Sequence, residues 1–224
     1  LNTPSHIIVN VALLNHQTAA ALPLAIGATL PDLPIFIMFI WARLVRGQPQ
    51  SQIWQETYYS PFWYGITTAL HSIPLALMGA IVCYLCHWLA GAIICVSMVL
   101  HDLGDLPVHH DDAHRHFFPF SNYRFISPFS YWDLRHHGRL VMWVERSLVL
   151  IATVVLFVEV INPWARLLMV VTNLFYWGIA TYFIIKGLVG RNCNQTANAN
   201  VDNSTGNPTW KGVCTLDQNS GQHE

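Results

Sequence analysis

Residues 65–104 form the longest apolar stretch of the chain, with one polar step near the middle, Cys86-His87-Trp88, and His101-Asp102-Leu103-Gly104-Asp105 at the end. One straight helix from His71 to His101 would run about 45 Å and set the two histidines on opposite faces of a bilayer. A break at the polar step instead gives two arms of roughly 21 Å each and returns His101 to the level of His71. Upstream, Asn15-His16-Gln17-Thr18 breaks the apolar runs 7–14 and 19–42, so His6 and Asp32 also return to one level. Asn162-Pro163 parts the runs 140–161 and 164–186 and predicts a third hairpin, because proline starts helices and breaks their interiors.

The expected fold class is therefore all-α, a multi-pass membrane helical bundle built from helical hairpins. It occupies residues 1–191, with a polar His/Asp-rich loop at 105–139 and a disordered polar tail at 192–224 rich in Asn, Thr, Ser and Gly. Of the 224 residues, 53% are hydrophobic and only 10% charged. The mean hydropathy of +0.37 is too high for an ordinary water-soluble domain of this length. The net charge is −1, and no Lys/Arg run carries interleaved aromatics, which excludes a nucleic-acid-binding surface. Cys83, Cys86 and Cys95 lie in apolar segments and read as packed thiols, not a disulfide framework. No charged region with a cleavage site precedes the first apolar run, so no removable signal peptide is expected. The tail's Asn194-Gln195-Thr196 and Asn203-Ser204-Thr205 fit a glycosylation pattern that such a composition produces by chance.

Charge sets the expected orientation. With the turns at 15–18, 86–88 and 162–163 on one side, the other side carries Arg115, Arg124, Arg135, Arg139, Arg146, Lys186, Arg191 and Lys211, against Arg166 alone near the turns. By the positive-inside rule the His and Asp groups, and the tail, face the cytoplasm.

The hairpins bring His6, Asp32, His71, His101 and Asp105 to one membrane face. His101 and Asp105 are four apart, share a helix face and can chelate one divalent ion; Asp102 points away from that face. Asp32, in Leu30-Pro31-Asp32-Leu33-Pro34 between apolar segments, needs a partner at membrane depth, and a cation is one. Downstream, His109-His110-Asp111-Asp112-Ala113-His114-Arg115-His116 reads either as a solvated juxtamembrane loop or as a source of further donors, His109 and His110 first. His16 and His87 sit at turns and read as hydrogen-bonded interfacial residues. Metal-assisted hydrolysis would need a carboxylate to take a proton, with Asp102 and Asp112 as candidates. Arg124 and Arg115 offer guanidinium forks for a substrate phosphate, and Arg124 suits an anionic lipid equally well. The aromatic-rich run from Phe117 to Trp132 reads as an interfacial belt that brings a lipid or lipid-linked phosphate ester within reach.

Four blocks carry a family resemblance: Thr3-Pro4-Ser5-His6; Leu30-Pro31-Asp32; Leu70-His71-Ser72; and His101-x-x-x-Asp105 followed by Phe118-Pro119-Phe120-Ser121-x-x-Arg124-Phe125-x-x-Pro128-Phe129. In order and rough spacing, over residues 3–132, the chain resembles the bacterial family of membrane-bound metal-dependent hydrolases, of the LexA-regulated inner-membrane type. It departs from that family where Pro34 replaces a second acid and Ile66 replaces a histidine. The family is in turn distantly similar to the zinc-dependent phospholipase C and single-strand nuclease superfamily, all-helical enzymes that act on phosphate esters. That resemblance implies zinc, or manganese, with Asp32, His71, His101 and Asp105 holding one metal and His6 with Asp105 a second. It further implies a third metal at His109 or His110 with His137 and Glu145, although Glu145 followed by Arg146 also reads as a plain interfacial ion pair.

Three functions fit these residues: a membrane-embedded hydrolase of phosphate esters; a non-catalytic multi-pass protein with a structural or vestigial metal site, favoured by Pro34; and a divalent-cation transporter. Ligands at one face, away from the midplane, weigh against the last.

Overall fold

The computed structural model describes residues 1–14, 20–131, 133–160 and 163–199, and every regular element among them is helical. The breaks expected at 15–18 and Asn162, together with Trp132 and the tail from Asn200, lie outside the described residues. The helices are α1 (Thr3–Leu14), α2 (Ala21–Thr29), α3 (Leu33–Ile40), α4 (Gln50–Gln52), α5 (Pro61–Leu70), α6 (Ile73–Leu85), α7 (Leu89–Asp105), α8 (Gly138–Glu159) and α9 (Pro163–Ala199). Wide π turns at Trp41–Val45 and Ile53–Thr57 extend α3 and α4, and a short 3-10 turn covers Leu134–His136. The first unit comprises Leu1–Asn173. In the second, from Leu174, the described backbone is helical to Ala199, beyond Asn192 where the composition predicts the tail to begin.

Two sharp corners shape the first unit. Pro31 and Pro34 flank Asp32, whose carbonyl starts α3 by accepting from Ile35 and Phe36, and the axis bends by 56° between α2 and α3. At the second corner His71 closes α5 and Ser72 caps α6 by accepting from the amide of Leu75, with Pro74 in the first turn and a bend of 59°. Proline cannot continue the preceding ladder, so both corners release a side chain from a helix end.

α7 returns along α6 after a break at 86–88, where His87 adopts φ 57°, and His71 and His101 meet with ring centroids 5.5 Å apart. α2 packs so closely on α7 that a Cβ on Gly27 would stand 2.2 Å from the carbonyl oxygen of Ile94. Buried polar groups fix this layer. Ser97 donates to the carbonyl of Leu24 at 2.6 Å, and Asn10 of α1 donates to the Ser97 carbonyl and hydroxyl at 2.9 and 3.0 Å. A separate apolar cluster, Met38, Ala42 and Ile53 with Phe39, Trp41 and Trp63 against it, packs α3 onto the π turn after α4.

Among the described residues one helix, Gly138–Glu159, is long and apolar enough to cross a membrane unbroken; the bent pairs α2–α3 and α5–α6 reach that length only if each is one span. α8 turns Val141, Glu145, Val149, Ala152 and Leu156 inward and leaves Val144, Leu148, Ile151, Val155 and Val158 exposed, an apolar stripe at helical spacing.

Candidate metal centre

The two corners and the end of α7 meet at one place. Asp32, His71, His101 and Asp105 each bring one ligand atom within 4.8 Å of the others, the histidines and Asp105 buried and Asp32 half-buried. This group could hold a metal ion, and the hydrogen bonds behind it strengthen that reading. Nδ1 of His71 lies 3.0 Å from the carbonyl of Thr67, and Nδ1 of His101 lies 2.8 Å from the carbonyl of Ala28. A carbonyl only accepts, so Nδ1 carries a proton in both rings and Nε2 is the nitrogen turned toward the carboxylates. The Nε2 atoms face carboxylate oxygens: His71 to Asp32 at 3.6 Å, His101 to Asp32 at 3.7 Å and His101 to Asp105 at 3.2 Å. Both are buried and lack a hydrogen-bond partner, a position that a shared cation would satisfy. Four ligands at ~2.1 Å around a tetrahedral ion stand about 3.4 Å apart, which these separations bracket.

A second set of nitrogens converges on the other oxygen of Asp105. His6 Nε2 is 2.9 Å away, His109 Nε2 3.5 Å, and the amino group of Leu1 donates at 2.8 Å. The ring of His6 stacks on that of His101 at 3.8 Å, which Gly104 permits, since a Cβ there would stand 3.1 Å from His6 Cε1. Thr3 donates to Asp32, tying the start of α1 to the same carboxylates.

His109 Nδ1 pairs with Asp112 at 2.9 Å, leaving the buried Nε2 without a hydrogen-bond partner. Burial depresses the His109 imidazole, but the charge of Asp105, 3.5 Å from Nε2, and the bond and charge of Asp112 outweigh it and push its pKa up to about 9. Burial raises Asp112, yet His109 holds it below the usual carboxylate value. His114 stacks on His71 at 3.9 Å, and burial, then His71 and His109, hold it well below an ordinary histidine. His116 is likewise pushed down to about 4, first by burial and then by His71.

A cavity of about 530 Å³ opens against Asp32 and Asp105. His109, His110, His114 and Asp112 line one part of it, Trp54, Tyr58 and Tyr59 another. Tyr58 is raised above an ordinary phenol, by burial first, then by Tyr59, Tyr64 and Asp112.

The structure separates residues that the sequence left equivalent. His110 lines the cavity and meets His136 edge-on at 3.8 Å, outside the four-residue group. Asp112 reaches the cavity, whereas Asp102 is fully buried, does not line it, and has His116 at 4.0 Å as its neighbour. Arg124 does not face the cavity: it donates to the carbonyls of Ala113 and Asp111, both at 2.6 Å, and so braces the loop. Arg115 lies 5.1 Å from the centre of the Tyr64 ring. Glu145 is neither a ligand nor an interfacial partner of Arg146. It is buried and accepts from the Asn2 amide at 2.7 Å, the Asn2 side chain at 3.1 Å and Ser5 at 2.6 Å, because the open start of α1 needs an acceptor. His137, at φ 60°, is exposed against Phe129.

The Asn10–Ser97 pair is a structural participant that sequence reasoning missed, because it depends on partners far along the chain. His114 was read only as one of a His-rich loop, without its stack on His71, and Glu145 as a ligand or ion-pair partner, without its bonds to α1. Comparison with protein-family models, curated proteins and solved structures found no match to this chain.

Proposed function

We propose that this chain is a metal-dependent hydrolase of phosphate esters embedded in a bacterial inner membrane, of the family its four sequence blocks resemble. In this reading the helical hairpins are embedded in the bilayer and the site faces the cytoplasm. The observation that carries it is the pair of buried Nε2 atoms of His71 and His101, without hydrogen-bond partners and turned to the oxygens of Asp32 and Asp105. The exposed apolar stripe of α8 suits lipid better than water.

Asp32, His71, His101 and Asp105 would hold the ion, with His6 and His109 on the far oxygen of Asp105 as donors to a second. A borderline divalent cation such as zinc suits this nitrogen and oxygen set, and manganese is the alternative. When bound, it lowers the pKa of water and polarises a phosphoryl oxygen. The protein's own residues do the rest. The Thr67 and Ala28 carbonyls fix the tautomer and orientation of the two histidines. Asp112, at the cavity wall, is the carboxylate placed to accept the proton of water as its oxygen bonds to phosphorus and the ester P–O bond breaks. The departing alcohol takes up a proton from solvent through the open cavity.

The test is elemental analysis of the purified protein after dialysis against a weak chelator, wild type beside Asp105→Ala. Near-stoichiometric zinc or manganese, lost in the variant and accompanied by hydrolysis of aryl phosphates, is expected. No retained metal in a folded wild type overturns the reading. A second reading, a structural metal site without catalysis, is favoured by Pro34, which fills a buried position in the first turn of α3 where the family carries an acid. Stoichiometric metal without turnover of any ester would select it.

A further inference from the structure

Beside its apolar stripe, α8 carries a second one of different chemistry. Arg139, Trp143, Arg146, Leu150 and Val154 follow one another at steps of three or four residues and so share a face. All are exposed except Arg146, which is half-buried. The first two turns of this face are basic and aromatic, and Leu150 and Val154 continue it as bare hydrocarbon, Val154 65% exposed.

The two guanidinium groups have no counter-charge in the protein. Among the described residues neither pairs with a carboxylate: Glu145, next to Arg146 in sequence, turns inward to Asn2 and Ser5, and Asp133 is matched by Arg135 at 2.7 Å. The guanidinium of Arg146 lies 5.6 Å from the centre of the Trp143 ring, one turn nearer the start of the helix. Helix side chains lean toward the N-terminus, so Arg146 reaches back over Trp143 in the direction of Arg139. The ring contact steadies the planar fork and uses none of its N–H donors. At the other end of α8, by contrast, Arg166 is spent on the Val160 carbonyl and lies 5.2 Å from the centre of the Phe157 ring.

The 22 residues of α8 run about 33 Å, close to the ~30 Å of a hydrocarbon core, which sets Arg139 and the reach of Arg146 at one headgroup level with Trp143 in the aromatic belt. Leu150 and Val154 then lie within the same leaflet, Val154 about 12 Å along the axis from Arg146. A free phosphate would leave these two side chains uncovered, and a zwitterionic lipid would bring an ammonium group that the arginine pair repels.

We propose that the start of α8 is a binding site for an anionic phospholipid, with Arg139 and Arg146 holding its phosphate and Leu150 and Val154 its acyl chain. The site rests on the membrane placement proposed above and is independent of the hydrolysis.

The experiment loads the delipidated full chain, in a neutral detergent, with equimolar phosphatidylglycerol and phosphatidylcholine and reads retained lipid by mass spectrometry. Phosphatidylglycerol is expected to be retained at least about fivefold over phosphatidylcholine. Arg139→Gln with Arg146→Gln should bring the ratio close to one, with metal content and Tm unchanged, whereas Arg166→Gln should leave it as in wild type. Lysine at both positions keeps the charge and should keep a clear preference even if the glutamine pair folds poorly. Equal retention in the wild type, or an undiminished ratio in the glutamine variant, overturns the site. A lipid-free dimer that the glutamine variant breaks gives this face to a second copy and also overturns it. A chain that stays monodisperse without detergent and retains neither lipid overturns the membrane placement itself. Loss of metal binding with the preference intact overturns the hydrolase reading alone.

Discussion

Oδ2 of Asp105 lies 3.2 Å from Nε2 of His101, one turn earlier on α7, while the imidazole N–H points the opposite way. The pair is thus arranged for a shared cation. Asp105→Asn keeps the shape of the side chain and removes its charge. Metal retained after dialysis should fall to less than about a tenth of wild type, read by elemental analysis, with the helical circular dichroism signal unchanged. Full metal retention would exclude Asp105 as a ligand.

Gly27 sets the distance between α2 and α7, and through it the bond from His101 to the Ala28 carbonyl. Gly27→Ala pushes a methyl group into the Ile94 carbonyl, which cannot move without its helix. We expect a loss on the order of 2 kcal/mol or more in stability and a weaker metal site in whatever fraction folds. Thermal unfolding with and without added zinc separates the two effects.

Glu145 anchors α1 across the whole chain. Glu145→Ala leaves the Asn2 amide and the Ser5 hydroxyl without their acceptor and should cost about 3 kcal/mol, whereas Glu145→Gln, which keeps one acceptor oxygen, should cost less. Equal Tm values for wild type and Glu145→Ala would remove this anchor from the account.

Acid should expose His116. Its folded pKa of about 4 is below the ordinary 6.5, so between these values the unfolded chain takes up a proton that the folded chain refuses. Stability is full above pH 6.5 and is lost as the pH falls toward 4, by on the order of 3 kcal/mol from this group. In chelator-treated protein, His116→Gln should therefore gain Tm relative to wild type as the pH drops from 7 to 4.5. A constant Tm difference would show that His116 titrates normally.

The sequence by itself determined the helical class and brought His6, Asp32, His71, His101 and Asp105 to one level, while the choice of four of them as one ligand set came from the family resemblance. Hydrophobic runs and the polar steps at 15–18 and 86–88 are local signals, and helix geometry converts them into levels. What only the tertiary structure decided is the division of labour around them. Asp102 and Asp112 are both candidate bases in the sequence, yet one is buried on α7 beside His116 and the other reaches the cavity. Arg124 resembles a phosphate fork but is consumed by two backbone carbonyls, and Glu145 finds its donors more than a hundred residues away in α1. Such choices depend on backbone carbonyls and on close approaches such as that at Gly27. No residue type advertises them, because every residue carries a carbonyl and only packing determines which one a buried donor meets.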